Sequence, residues 1–199
     1  MEGFLLVNDD ERNINDYLRV TEVLSPFSGL DQIDPGILEN AAKRGTDIHL
    51  ALDAFIEGLP MKISDPSYQG YLESASNFMK DKKFIIKPRR FFDDELMITG
   101  ECDAIYKEED GLVLVDFKTS SKESKTWMLQ GSAYAHLARK SGYNIKRIEF
   151  VHLLKDGNPC KIYQYEEDFE LYLKCLCVYR YFFEKKSKLR KQPAPKLQG

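Results

Sequence analysis

The sequence predicts a mixed α/β domain in which helices flank a central mixed β-sheet. The periodic segments come in the order helix, helix, three strands, helix, strand, strand, helix, which is typical of a layered α/β protein. Residues 112–117 are apolar on both faces of the predicted strand apart from Asp116, which indicates a strand that is covered on both sides. The 199 residues, 43% of them hydrophobic, are enough for one sizeable core.

Capping signals predict the two helices of the first half. Asp34-Pro35 supplies an N-cap and a proline at the first helical position, for a helix that runs to about Ile56. Asp65-Pro66 begins a second helix by the same logic, and this helix runs to about Lys80.

Three strands are predicted next, at residues 84–92, 96–106 and 112–117. Acidic turns at 93–94 and 109–111 separate them, so we expect hairpin connections and antiparallel pairing. The remaining predicted elements are a helix over 124–141 capped by Gly142, strands at 147–154 and 161–165, and a last helix from 168 to about 186.

The chain is predicted to form one domain over residues 20–184, with an N-terminal arm at 1–19 and a basic tail at 185–199 that we expect to be disordered. No secretory leader is evident, no apolar stretch approaches the roughly 20 residues that span a bilayer, and the four cysteines form no disulfide framework. We therefore expect a cytoplasmic protein, of a cell or of a phage-infected bacterium, without a membrane partner. The net charge of −3 does not favour tight nonspecific binding of nucleic acid, but it is compatible with an enzyme that uses metal ions and local basic patches.

The end of the predicted strand 112–117 concentrates groups that could do chemistry. Because a strand alternates its faces, Asp116 and Lys118 point the same way. Asp103 is a second carboxylate, which the hairpin can bring close across the ladder. Two hard oxygen ligands suit Mg²⁺ or Mn²⁺, and the carbonyl of Phe117 could be a further ligand. With Lys118 stabilising charge on a phosphoryl group, the pattern indicates metal-dependent phosphodiester hydrolysis.

Each of these residues also has an ordinary structural interpretation. Asp116 and Lys118 could be a cross-strand ion pair on a wet surface. Charged residues at the end of a strand that is buried on both faces, however, need a partner or a purpose. His49 shares a helical stripe with Gly45 and Asp53, which allows a ligand role, although a lone helical histidine is usually a surface residue or a satisfied core residue.

The third predicted helix carries polar groups on the face that should meet the sheet. Trp127, Gln130 and Tyr134 are spaced by three and four residues and share this face. Gln130 and Tyr134 either bond to the backbone as buried polar tips or orient Lys118 or a substrate phosphate. Trp127 fits core packing better than stacking on a base.

Four motifs occur in the order found in the PD-(D/E)XK nuclease superfamily. They are Gly45-Thr46-Asp47-Ile48-His49, Gly100-Glu101-Cys102-Asp103, Asp116-Phe117-Lys118-Thr119-Ser120 and Gln130-Gly131-Ser132-Ala133-Tyr134. Over roughly residues 20 to 165 the chain resembles the RecB-like exonuclease branch, which includes CRISPR-associated, mitochondrial and phage exonucleases. The resemblance implies a restriction-endonuclease-like core, in agreement with the predicted order of elements.

The resemblance also implies roles for the motif residues. His49, Asp103 and Asp116 would be ligands of Mg²⁺ or Mn²⁺, with the backbone carbonyl of Phe117 beside them. Lys118 would be the catalytic lysine. The motif residues of the following helix would be Gln130 and Tyr134.

The chain departs from the branch in two respects. Some members hold an iron–sulfur cluster through one cysteine before the His-bearing helix and three near the C-terminus. Here Cys102 is the first cysteine and Cys175-x-Cys177 is too tightly spaced, so we expect no cluster. No helicase motif is present, so any coupling to unwinding would require a separate recombination or helicase protein.

Two basic segments are candidates for contact with DNA. Within the window 80–90 we single out Lys83, Lys87, Arg89 and Arg90, and the tail is basic from residue 185 onward. Both could steer a phosphate backbone toward an otherwise acidic protein. The alternative is a solvated face and a solubilising tail.

The sequence therefore predicts a Mg²⁺- or Mn²⁺-dependent deoxyribonuclease, an exonuclease that serves DNA recombination, repair or phage DNA processing. Two alternatives stay open. One is a structure- or sequence-selective endonuclease on the same fold, and the other is a non-catalytic module that binds nucleic acid or protein. The complete set of acids and lysine favours an enzyme, but strand polarity, the preference for single or double strands and the oligomeric state do not follow from the sequence.

Overall fold

The computed structural model describes residues 12–86 and 89–184 and has the mixed α/β architecture that the sequence predicts. The helices are α1 (Val20–Leu24), α2 (Pro35–Ile56), α3 (Gln69–Met79), α4 (Trp127–Lys140) and α5 (Phe169–Phe182). The strands are β1 (Leu18–Arg19), β2 (Lys83–Ile86), β3 (Arg89–Asp93), β4 (Ile98–Cys102), β5 (Ala104–Lys107), β6 (Leu112–Lys118), β7 (Ile145–His152) and β8 (Lys161–Tyr163). The first eleven residues of the predicted arm and the whole predicted tail lie outside the described residues.

The capping residues place the first helices. The Asp34 carboxylate accepts the backbone N–H groups of Gly36 and Ile37 at 2.9 and 3.2 Å, so α2 begins at Pro35 as predicted. Asp65 caps the second helix in the same way, but the first turn there is a 3₁₀ turn and α3 begins only at Gln69. None of the helices in the described ranges is both long and apolar enough to cross a membrane.

Two of the predicted strands each divide between two sheets. Segment 84–92 forms β2 and β3, and segment 96–106 forms β4 and β5 with Asp103 at the break. The central sheet has the order β2-β5-β6-β7-β8, in which only β6 and β7 are parallel, and the second sheet has the order β1-β4-β3. The expectation of two uninterrupted strands was wrong because the halves of each segment pair with different neighbours, which apolar alternation alone does not show.

Strand β6 is covered on both faces, as its apolar sequence predicts. Leu114 packs with α4 in one buried cluster. Val113, Val115 and Phe117 pack on the other face, in a cluster that includes buried residues of α2 and α3. Because Asp116 and Lys118 share the face of Leu114, they point toward α4 at the carboxyl end of the strand.

Candidate active site

One cleft opens at the carboxyl end of β6, with a cavity volume of about 360 Å³. Its walls come from α2, the break between β4 and β5, the end of β6 and α4. The lining residues are Ala41, Arg44, His49, Glu101, Asp103, Asp116, Phe117, Lys118, Thr119, Ser120, Gln130 and Tyr134. Every residue that the sequence assigned to metal binding or catalysis therefore lies in this one cleft.

Asp103 reaches the cleft because the chain leaves one sheet and enters the other at this residue. Ala104 pairs with Val115 across the antiparallel ladder, which sets Asp103 beside the end of β6. Its Oδ2 accepts the backbone N–H of Phe117 at 2.6 Å, and its Oδ1 lies 3.1 Å from Nδ1 of His49. Asp103 therefore contacts the backbone next to Asp116 and the imidazole of His49 from α2.

Asp116, Lys118 and Gln130 form a closed set of polar contacts under α4. Lys118 Nζ lies 2.6 Å from Asp116 Oδ2 and donates to Oε1 of Gln130 at 3.1 Å. The Nε2 group of Gln130 donates to Asp116 Oδ1 at 3.2 Å and to the Tyr134 hydroxyl at 3.0 Å. Gln130 therefore holds the lysine and the carboxylate at the same time. Asp116 Oδ2 is buried and, despite the nearby ammonium, accepts no hydrogen bond of normal geometry.

The close packing of α4 on β4 depends on Gly100. A Cβ at this position would lie 2.6 Å from Cε1 of Tyr134 and 3.0 Å from a methyl of Leu137. The absence of a side chain therefore lets α4 approach the sheet and bring Gln130 over Asp116.

Burial and neighbouring charges shift the acid–base equilibria of the cleft. Burial raises the pKa of Asp116 to about 6, with Lys118 opposing the rise and Asp103 adding to it. Burial alone would lower the pKa of His49, but the charge and the hydrogen bond of Asp103 outweigh it and raise this pKa to about 9. Burial also raises the pKa of the Tyr134 phenol, so this group stays protonated and neutral.

A second lobe of about 550 Å³ extends the cleft along α2. Asp53 and Glu101 line it together with His49 and Asp103. Burial, with a further contribution from Asp103, raises the pKa of Asp53 to about 6. The two lobes share His49, Glu101 and Asp103, whereas Lys118 and Arg44 line only the first lobe.

The donor set fits a divalent cation in its chemistry. His49, Asp103 and Asp116 offer one imidazole and two carboxylates, which are ligands of Mg²⁺ and Mn²⁺. Among the described residues, no three His, Cys, Asp or Glu side chains form a group that could hold a metal ion by themselves. His49 instead pairs with Asp103, and Lys118 pairs with Asp116. The buried Asp116 Oδ2 already faces one positive charge, the Lys118 ammonium at 2.6 Å, which is consistent with a cation at this place.

The candidate DNA-contacting residues of the basic window point in different directions. Arg90 pairs with Glu101, which lines the cleft. Arg89, on the opposite face of β3, donates to the hydroxyl of Tyr143 at 3.1 Å. Lys83 pairs in register with Lys107, at the end of β5 that is remote from Asp103. Lys87 lies outside the described residues.

Sequence reasoning assigned no role to Arg44 and Glu101, although both line the cleft. Arg44 precedes His49 by five residues, which places it about 140° away around the helix. The helical spacing that groups His49 with Gly45 and Asp53 therefore does not include Arg44. Only the length of its side chain brings its Nη2 to the carbonyl of Thr119, at 3.3 Å. Trp127, by contrast, takes the core role expected of it, since it is 4% exposed and stacks on Phe150.

Comparison with known proteins concerns the fold. No protein-family model and no curated protein matches the chain. A solved structure from Eubacterium rectale, named "Putative exonuclease", is 12% identical with a TM-score of 0.50, and the match covers 90% of this chain and 84% of that chain. The solved structure of SSO0001 is 14% identical with a TM-score of 0.43, over 83% of this chain and 75% of that chain. At this level of identity the Eubacterium rectale protein supports the mixed α/β fold.

Proposed function

We propose that the chain is a Mg²⁺- or Mn²⁺-dependent deoxyribonuclease of the PD-(D/E)XK superfamily, and that it acts as an exonuclease in DNA recombination, repair or phage DNA processing. The observation that carries this proposal is the set formed by Asp116, Lys118 and Gln130 beside Asp103 and His49 in one open cleft. The order of the sequence motifs and the fold shared with a protein named as an exonuclease support the same conclusion.

His49, Asp103, Asp116 and the Phe117 carbonyl are the groups that would hold the cation. When bound, the cation lowers the pKa of a water molecule and polarises a phosphoryl oxygen. A divalent ion would suit this donor set because carboxylate oxygens and an imidazole nitrogen are among its usual ligands.

The chain's own residues position charge around the phosphate. Lys118 lines the cleft with 19% of its side chain exposed, so its Nζ can stabilise negative charge that develops on the reacting phosphate. Gln130 limits the motion of Lys118 by accepting its hydrogen bond at 3.1 Å. Tyr134, buried and neutral, in turn accepts a hydrogen bond from Gln130 and fixes its amide.

A nuclease assay with a matched control tests the proposal. End-labelled DNA is incubated with the protein and Mn²⁺ or Mg²⁺, with and without EDTA, beside Lys118→Met and Lys140→Met. Lys140 is the matched control because it also pairs with a buried aspartate, Asp93, at 2.8 Å but does not line the cleft. We expect metal-dependent cleavage that is lost in Lys118→Met and retained in Lys140→Met.

The substrate form distinguishes the alternatives. Stepwise release of nucleotides from labelled ends, with a covalently closed circle left intact, supports an exonuclease. Nicking of the circle would instead identify the protein as an endonuclease. Absence of cleavage by a folded wild-type protein that still binds DNA would leave a non-catalytic binding module.

A further inference from the structure

Arg44 is a cation of the cleft that no carboxylate of the described residues neutralises. Its Nη2 donates to the carbonyl of Thr119 at 3.3 Å, and its guanidinium carbon lies 5.8 Å from the centre of the Tyr71 ring. Its Nε is buried and has no hydrogen-bond partner. A buried donor on a charged group without an acceptor is costly, and it calls for an explanation such as a bound water, a bound ion or a functional role.

The charges of the cleft are arranged asymmetrically around this residue. Arg44 shares the first lobe with Lys118 and with the hydroxyl-bearing Thr119 and Ser120. The second lobe shares His49, Glu101 and Asp103 with the first and adds Asp53, but neither Arg44 nor Lys118 lines it. Lys118 already has Asp116 and Gln130 as partners, so Arg44 is the group of the first lobe whose charge is left for an incoming anion.

We propose that Arg44 binds a backbone phosphate of the DNA strand, adjacent to the phosphate that is cut. The proposal rests on the proposed nuclease function and deepens it by naming a substrate contact. A guanidinium presents its N–H donors in a planar fork that matches two phosphate oxygens, and a bound phosphate would supply the acceptors that Arg44 lacks.

The competing explanation is that Arg44 only tethers the segment after β6, through the Thr119 carbonyl. A tether predicts lower stability and an equal effect on every part of the substrate. A phosphate contact predicts an effect confined to one phosphate. Neutral phosphate analogues placed one at a time along the strand separate these two explanations.

The experiment combines protein variants with single methylphosphonate substitutions in an end-labelled oligonucleotide. Arg44→Gln removes the charge, Arg44→Lys keeps it without the fork, and Lys43→Gln makes the same charge change at an exposed neighbour that does not line the cleft. Single-turnover cleavage in Mn²⁺ is measured for each pair of protein and oligonucleotide, and thermal unfolding is recorded for each variant.

We expect one methylphosphonate position to slow the wild-type protein by about 10- to 100-fold, the range for losing a hydrogen bond to a charged group. Arg44→Gln should lose a similar factor on unmodified DNA and nothing further at that position, because the contact is already gone. The cleavage rate of Arg44→Lys should fall between those of wild type and Arg44→Gln, and Lys43→Gln should cleave at the wild-type rate. The inference is overturned if the loss of rate from the methylphosphonate and the loss from Arg44→Gln multiply at every position of the strand. It is also overturned if Arg44→Gln cleaves as fast as Lys43→Gln.

Failure of the proposed function gives a different result. The same set is measured by equilibrium DNA binding in the Lys118→Met background, where turnover is not needed. If the wild-type protein binds DNA without cutting it, the nuclease proposal fails and the binding data decide the role of Arg44 on their own. If the wild-type protein binds no DNA, the assignment of Arg44 is overturned.

Discussion

Replacing Lys118 with methionine should destabilise the metal-free protein at pH 8 and largely spare it at pH 5. Lys118 Nζ lies 2.6 Å from the carboxylate of Asp116, whose side chain is 5% exposed. Removing one partner of such a pair leaves a buried charge without compensation. With 19% of the lysine side chain exposed, the low end of the usual range, about 3 kcal/mol of the free energy of unfolding, is the expected loss at pH 8.

The pH dependence follows from the pKa of Asp116, which burial raises to about 6 even with Lys118 present. A carboxyl group whose pKa is higher in the folded chain holds its proton more tightly there, so the free energy of unfolding falls as pH rises through that pKa. Without Lys118 the pKa rises further and the fall extends to higher pH. The difference in the free energy of unfolding between variant and wild type therefore grows above a pH of about 6. Below that pH it becomes small, because Asp116 is protonated in both proteins.

Lys140→Met provides the contrasting case. Burial alone would raise the pKa of Asp93, but hydrogen bonds, first from Lys140 and then from His136, outweigh it and lower this pKa to about 2. A lowered carboxyl pKa stabilises the fold above the ordinary value of about 4 and loses this effect only as the pH falls toward 2. Lys140→Met should consequently be as destabilising at pH 5 as at pH 8.

The assay is urea denaturation followed by circular dichroism, in EDTA, for the three proteins at pH 5 and pH 8. A loss of stability in Lys118→Met that is equal at the two pH values would refute the assignment of a raised pKa to Asp116. No loss at pH 8 would refute the buried ion pair itself.

Three further outcomes are expected. Gly100→Ala should lower the free energy of unfolding by about 1–3 kcal/mol in urea denaturation, because its Cβ would lie 2.6 Å from Tyr134 Cε1; a variant as stable as wild type would contradict this packing. Gln130→Leu should reduce kcat by about 10- to 100-fold with little change in KM, because the amide that orients Lys118 is lost, and an effect confined to KM would argue against that role. Calorimetric titration with Mn²⁺ at pH 7.5, in buffers of different ionisation enthalpy, should show release of about one proton, because His49 with a pKa of about 9 must lose its proton to bind metal. The affinity of the protein for Mn²⁺ should rise with pH up to about 9, and the His49→Gln variant should release no proton.

The elements that carry strong local signals could be predicted from the sequence. Asp34-Pro35 marks the start of α2 because capping and proline geometry are local properties. Strand alternation was sufficient to place Asp116 and Lys118 on one face, where they make an ion pair. The helical spacing of Gln130 and Tyr134 likewise placed both on the face of the helix toward the sheet, and their hydrogen bond shows that they are neighbours.

Features that depend on the choice of neighbours could not be predicted. Asp103 stands at a break where one predicted strand changes sheets, and only the pairing of its two halves shows this. Arg44 enters the cleft through the reach of a flexible side chain from a different stripe of α2. The buried Asp93 contacts His136 and Lys140, which lie more than 40 positions away in the sequence, so no local pattern predicts these contacts.

The most direct measurement of the central claim compares two buried aspartates in single-turnover cleavage of end-labelled DNA with Mn²⁺. Asp116→Asn removes the carboxylate at the end of β6, while Asp93→Asn removes a buried carboxylate that does not line the cleft. We predict metal-dependent cleavage by the wild-type protein, a loss of about 1000-fold in Asp116→Asn, and near wild-type cleavage by folded Asp93→Asn. Absence of metal-dependent cleavage by the wild-type protein, or an Asp116→Asn variant as fast as wild type, would contradict the account.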